Sequence, residues 1–150
     1  DVDADEILIT AGLTHGAFIT CMAALDDGDE VILIDPYYPQ HVNKIELAGA
    51  KVVHAAFDKS NNFYLDPKNI EAKITSKTKM IALVNPTNPT GRVYSREELQ
   101  GLADLAIKHD LLIMSDEVYE QILFDDNEHI SIASYNAGRI PGLFYGLCRR

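Results

Sequence analysis

Met80-Ile81-Ala82-Leu83-Val84-Asn85-Pro86-Thr87-Asn88-Pro89-Thr90-Gly91 is an apolar run that stops abruptly at a proline-rich polar turn. An unbroken apolar run this short, bounded by turn residues, fits a strand covered on both faces, as in a parallel sheet. Leu111-Leu112-Ile113-Met114 repeats the pattern and passes into Ser115-Asp116-Glu117-Val118-Tyr119-Glu120. Ligands of open α/β sheets sit at the carboxyl ends of the strands, so Asn88, Asp116 and Tyr119 are expected to converge there.

Outward from these runs, further apolar stretches bounded by Gly, Pro, Asn or Asp predict strands at 6–10, 31–35 and 51–55, beside those at 80–84 and 111–115. Helical patterns fall at about 14–26, 38–48, 67–74 and 95–109. Strands alternating with helices imply an α/β fold: three α/β/α layers around a mainly parallel sheet. The helix after Ser95 is the best signalled, with a Ser95/Glu98 capping box and a stripe of Leu99, Leu102, Ala103, Ala106 and Ile107. Asp66-Pro67 reads as an N-cap with Pro at the first helical position, and Gly28-Asp29-Glu30 as a turn into a strand.

The paired runs Asn-Pro-Thr-Asn-Pro-Thr-Gly and Asp-Glu-Val-Tyr-Glu, in this order, resemble the class I/II aminotransferases related to aspartate aminotransferase, which are fold type I pyridoxal-phosphate (PLP) enzymes. Either run alone is unremarkable; together they are specific. The resemblance runs from about Ile7 to about Ser134. It implies a PLP-binding large-domain core over 1–134, a tail at 135–150 that matches poorly, and no small domain, so the chain reads as an internal segment.

The resemblance also implies site residues. Asp116 matches the carboxylate opposite the pyridine nitrogen, where a buried carboxylate needs a cationic partner. Asn88 and Tyr119 match the side chains that hydrogen-bond the phenolic oxygen, and Tyr38 matches the aromatic residue stacked on the ring. Leu13 and Thr14 match the phosphate-binding turn. Each has a plainer reading: a helix or turn cap for Asp116, a turn residue for Asn88, a core aromatic for Tyr119 and Tyr38, an N-cap for Thr14. Tyr37 competes with Tyr38, and Asn85, Pro86 and Pro89 read as structural. The phosphate turn lies between an expected strand and an expected helix, where free N–H groups favour an anion.

A formal net charge of -10 with scattered Lys and Arg argues against a nucleic-acid surface. No apolar run approaches the roughly 20 residues that span a bilayer, and the start Asp1-Val2-Asp3-Ala4-Asp5-Glu6 is unlike a signal peptide, so a cytoplasmic protein without membrane partners is expected. Cys21 and Cys148 lack metal-ligand spacing and read as free thiols. The histidines at 15, 41, 54, 109 and 129 read as surface or satisfied core residues, His15 being nearest the phosphate turn. Asp125, Asp126 and Glu128 read as a solvated loop.

The family's Schiff-base lysine has no counterpart. The window where it belongs reads Tyr145-Gly146-Leu147-Cys148-Arg149-Arg150 and aligns Arg149 with it, and an arginine stays protonated. The expectation is a PLP-dependent aminotransferase acting on an amino acid and a 2-oxo acid, homodimeric when intact, of which this chain alone is inactive. The alternatives are a non-catalytic or truncated relative and another fold type I PLP enzyme such as a C–S lyase.

Overall fold

The apolar runs become the central strands of one sheet in the computed structural model, which describes residues 3–56, 63–135 and 143–146. β1 (Glu30–Asp35), β2 (Lys51–Ala56), β3 (Thr78–Val84), β4 (Leu112–Asp116) and β5 (Leu143–Gly146) lie in the order β2-β1-β3-β4-β5, and each neighbouring pair is parallel. β1, β3 and β4 are buried almost throughout, whereas β2, at the sheet edge, is largely exposed.

Strand periodicity sorts the core into two faces. Ile32, Ile34, Ile81, Leu83 and Ile113 pack with Leu99, Leu102, Ala103 and Ala106 of α4 (Arg96–His109), and with Ile70 of α3 (Pro67–Glu71). Val31, Leu33, Met80, Ala82 and Met114 pack with Ala17 and Cys21 of α1 (Leu13–Ala24), and with Ile45 of α2 (Gln40–Leu47). The α/β/α layering is therefore present, with α1 and α2 on one face and α3 and α4 on the other. Both predicted caps form: Ser95 and Glu98 close a capping box on α4, and Asp66 accepts from Lys68 N with Pro67 behind it.

The strand expected at 6–10 does not form. A 3₁₀ turn occupies Ala4–Glu6, the chain is irregular from 7 to 10, and Ile7, Leu8 and Ile9 are 57%, 69% and 87% exposed. A strand needs a neighbour for its N–H and C=O groups, and among the described residues no strand pairs with this segment. β5 lies in the stretch where no strand was expected. No helix of the described residues is long and apolar enough to cross a membrane.

The chain steps outward from β1 to β2, then crosses to the other side of β1 for β3 and β4. The gap between β1 and β3 is thus a topological switch point, where an open sheet leaves a crevice at its carboxyl end.

Candidate cofactor site

A cavity of about 290 Å³ opens at that crevice. β4 contributes Asp116, its last residue, which pairs with Val84 at the end of β3. Parity aims the two faces differently: Asp116 shares the face of Met114, toward α1 and α2, and lines the cavity. Ser115 and Glu117 have the opposite parity, and both are buried. Glu117 accepts from Ser115 Oγ (2.9 Å) and Ser131 Oγ (3.0 Å), with His129 Nε2 at 3.1 Å. That network fastens Glu117 to the far side of the sheet, leaving Asp116 as the carboxylate of this segment on the cavity side.

Asp116 is 8% exposed; its Oδ1 accepts from Val118 N at 3.2 Å, and its Oδ2 lies 3.2 Å from His41 Nε2. His41 is buried, yet neither ring nitrogen has a hydrogen-bond partner, so its contact with Asp116 is close but not aligned for a bond. A buried carboxylate with a single hydrogen bond is short of partners by the usual standard for buried charge.

The turn after β3 supplies Asn88, which donates from Nδ2 to Tyr119 Oη at 3.1 Å. Asn88 and Tyr119 both line the cavity. Asn85 does not line it and ties the turn instead: Nδ2 donates to Ile130 O (3.2 Å), Oδ1 accepts from Tyr94 N (3.2 Å), and its own N–H donates to Asp116 O (2.9 Å). Asn85 is therefore structural.

α1 meets the cavity with its N-terminus, through Gly12, Leu13 and Thr14. The N-cap is Gly12 at φ 82°, a left-handed conformation that favours glycine, and it has no side chain to cap the first-turn N–H groups. His15 bends back, accepting at Nδ1 from Ala11 N at 3.2 Å, and does not line the cavity.

Tyr38 lines the cavity and packs edge-on to His41, with ring centroids 5.7 Å apart. Tyr37 stacks on His54 at 5.1 Å and does not line it. The structure thus brings Leu13, Thr14, Tyr38, Asn88, Asp116 and Tyr119 to one cavity. Arg149 and Cys148 lie outside the described residues; Cys21 is a free, buried thiol.

Two cavity residues escaped the sequence reading: His41 and Lys44, both buried. The available signal was their spacing from Tyr38 in steps of three, which puts all three on one helical face. Burial lowers the Lys44 pKa, against the opposing pull of Cys21 and Asp116. Burial likewise raises the Cys21 thiol, partly offset by Lys44.

Chemically, the cavity joins a buried carboxylate, an Asn–Tyr donor pair, an aromatic wall and an uncapped helix start. That set suits a ligand carrying a cationic group, an aromatic face and anionic oxygens. The family model for aminotransferase class I and II matches residues 1–145, past the Ser134 boundary read from the motifs. The chain is 45% identical over 148 residues to kynurenine–oxoglutarate transaminase 3 of Homo sapiens, covering 93% of this chain and 32% of that protein. It is 40% identical to alanine aminotransferase of Mycobacterium tuberculosis, covering 98% and 34%. Among solved structures, an aspartate aminotransferase tetra mutant of Thermus thermophilus superposes with a TM-score of 0.90 at 35% identity, covering 97% of this chain and 39% of that one. The chain spans about a third of the length of these curated relatives. With the motifs, the parallel sheet and the family match agreeing, the chain belongs to the aminotransferase class I and II family.

Proposed function

We propose that this chain is the pyridoxal-phosphate-binding core, over 1–134, of an aminotransferase that moves an amino group between an amino acid and a 2-oxo acid. The observation that carries the reading is the meeting of Asn88, Asp116 and Tyr119, from two distant motifs, in one cavity at the switch point. When bound, the cofactor supplies a pyridine ring that accepts electrons from the substrate carbon.

This chain's residues would hold it as follows. Asp116 keeps a proton on the ring nitrogen, since a buried carboxylate stabilises the cation beside it. Asn88 and Tyr119 hydrogen-bond the ring oxyanion, and their mutual bond fixes both donors. Tyr38 flanks the ring, while Thr14 and the first-turn N–H groups of α1 take the phosphate. Leu13 contributes only its backbone. The substrates, a homodimeric intact protein and a cytoplasmic location are part of the same proposal, supported by the family match.

One observation favours a second reading, a non-catalytic PLP-binding relative: the sequence has Arg149 in register with the expected lysine. Calorimetric titration of the purified protein with PLP tests what both share. We expect one equivalent to bind and Asp116→Ala to weaken it at least about tenfold, the loss of a charge-assisted contact. Absence of saturable binding would sink both.

A further inference from the structure

Behind the cofactor cavity, three short segments meet at the sheet end: Asn85 after β3, Glu117 after β4, and His129 with its successors Ile130 and Ser131. The third segment has no task in the cofactor reading, yet it holds both of the others. Ile130 O accepts from Asn85 Nδ2 at 3.2 Å, and Ser131 Oγ donates to Glu117 Oε1 at 3.0 Å. The His129 ring reaches both, with Nε2 3.1 Å from Glu117 Oε2 and Nδ1 3.5 Å from Asn85 Nδ2. Asn85 and Glu117 are fully buried and the His129 side chain nearly so, which keeps water from competing for these bonds.

Hydrogen-bond accounting places the proton on the ring. Asn85 Oδ1 accepts from Tyr94 N while its Nδ2 donates to Ile130 O, so turning the amide over would oppose donor to donor and acceptor to acceptor. With Nδ2 fixed as a donor, His129 Nδ1 accepts from it, and Nε2 carries the N–H that Glu117 takes. Glu117 then has three donors, from Ser115, His129 and Ser131, as a buried carboxylate requires. Each anchored residue leads into a cofactor turn. Asn85 stands three residues before Asn88, and Glu117 O accepts from Glu120 N at 3.0 Å in a turn with Tyr119 inside it.

We propose that His129, as its Nε2–H tautomer, is a positioning residue that clasps these two turns and sets the Asn88–Tyr119 pair across the cavity. The clasp stands on the bonds just described; its effect on cofactor binding rests on the reading of Asn88 and Tyr119 as donors to the ring oxyanion.

His129→Gln keeps one donor and one acceptor, whereas His129→Leu fills similar space with neither. Tyr119 can be followed in the cofactor-free protein by ¹⁹F NMR after fluorotyrosine labelling, its signal being the one that Tyr119→Phe deletes. We expect His129→Leu to move that signal and His129→Gln to restore it, with PLP affinity about tenfold weaker in the first and within about threefold of wild type in the second. A histidine that only stabilised the fold would lower the unfolding midpoint and leave the Tyr119 signal in place. That result overturns the proposal, as does an equal shift in both variants. Should His129→Leu fail to fold, Ser131→Ala removes one leg of the clasp and should still move the signal; an unmoved signal there overturns it too. Long-range ¹H–¹⁵N NMR of the wild-type ring checks the tautomer without any substitution, and a proton on Nδ1 contradicts it. If the fluorine signals behave as expected while no protein binds PLP, the clasp stands and the cofactor reading falls.

Discussion

Glu98 is fully buried, and its carboxylate accepts from Leu65 N (2.7 Å), Ser95 N (2.8 Å) and Arg92 Nη2 (2.8 Å). The capping box was legible in sequence because Ser95 and Glu98 are three residues apart. The bonds to Leu65 and Arg92 were not, since nothing local marks them. Glu98→Ala should therefore cost far more than a lost cap, which is worth about 1 kcal/mol. It strands Arg92 and two amide N–H groups, those of Leu65 and Ser95, so we expect a loss of about 3–5 kcal/mol in urea unfolding, with Glu98→Gln less severe. His41 and Lys44 were missed for the related reason that a lone His or Lys on an amphipathic helix is more often solvated than buried. In the site itself, Tyr119→Phe removes a donor and the partner of Asn88, and PLP affinity should fall about tenfold in fluorescence titration.

Among the elements, the central strands were readable because burial on both faces forces continuous apolar runs. The segment at 6–10 has the same local character, but a strand is a pairing, and local sequence does not report a partner. The α3–α4 contact carries two further predictions. A Cβ on Gly101 of α4 would sit 2.5 Å from Cγ of Pro67, a rigid ring. Gly101→Ala gains about 1 kcal/mol of helix propensity but overpacks at a cost of about 1–3 kcal/mol, so the denaturation midpoint should drop. On the same contact, Glu71 of α3 is held below the usual carboxylate range by hydrogen bonds from Lys108, then His109, of α4. A depressed folded pKa stabilises above the unfolded value and is lost as pH falls. The protection factors of the α3 amides, corrected for the intrinsic pH dependence of exchange, should therefore fall as pH drops below 4.5, a response that Glu71→Gln removes.

For the whole molecule, the sequence placed both motifs at strand ends but did not say that β3 and β4 are neighbours. The order β2-β1-β3-β4-β5 makes them so and puts the start of α1 and the buried face of α2 across the same crevice. The strand-end rule was enough to expect Asn88, Asp116 and Tyr119 together, but Tyr38 and Thr14 were assigned to the same site only through family resemblance, because strand order depends on pairings between distant segments. The exposed Ile7, Leu8 and Ile9 form an apolar stretch on the surface of this chain. Leu8→Ser with Ile9→Ser should leave stability within about 0.5 kcal/mol and reduce concentration-dependent association in sedimentation velocity.

The site's organising idea is that Asp116 holds a proton on the ring nitrogen of a bound cofactor. NMR of the protein with PLP carrying ¹⁵N in its ring reads that proton. A protonated ring nitrogen in wild type that becomes unprotonated in Asp116→Asn is the predicted result. The same ring-nitrogen signal in both proteins would contradict it.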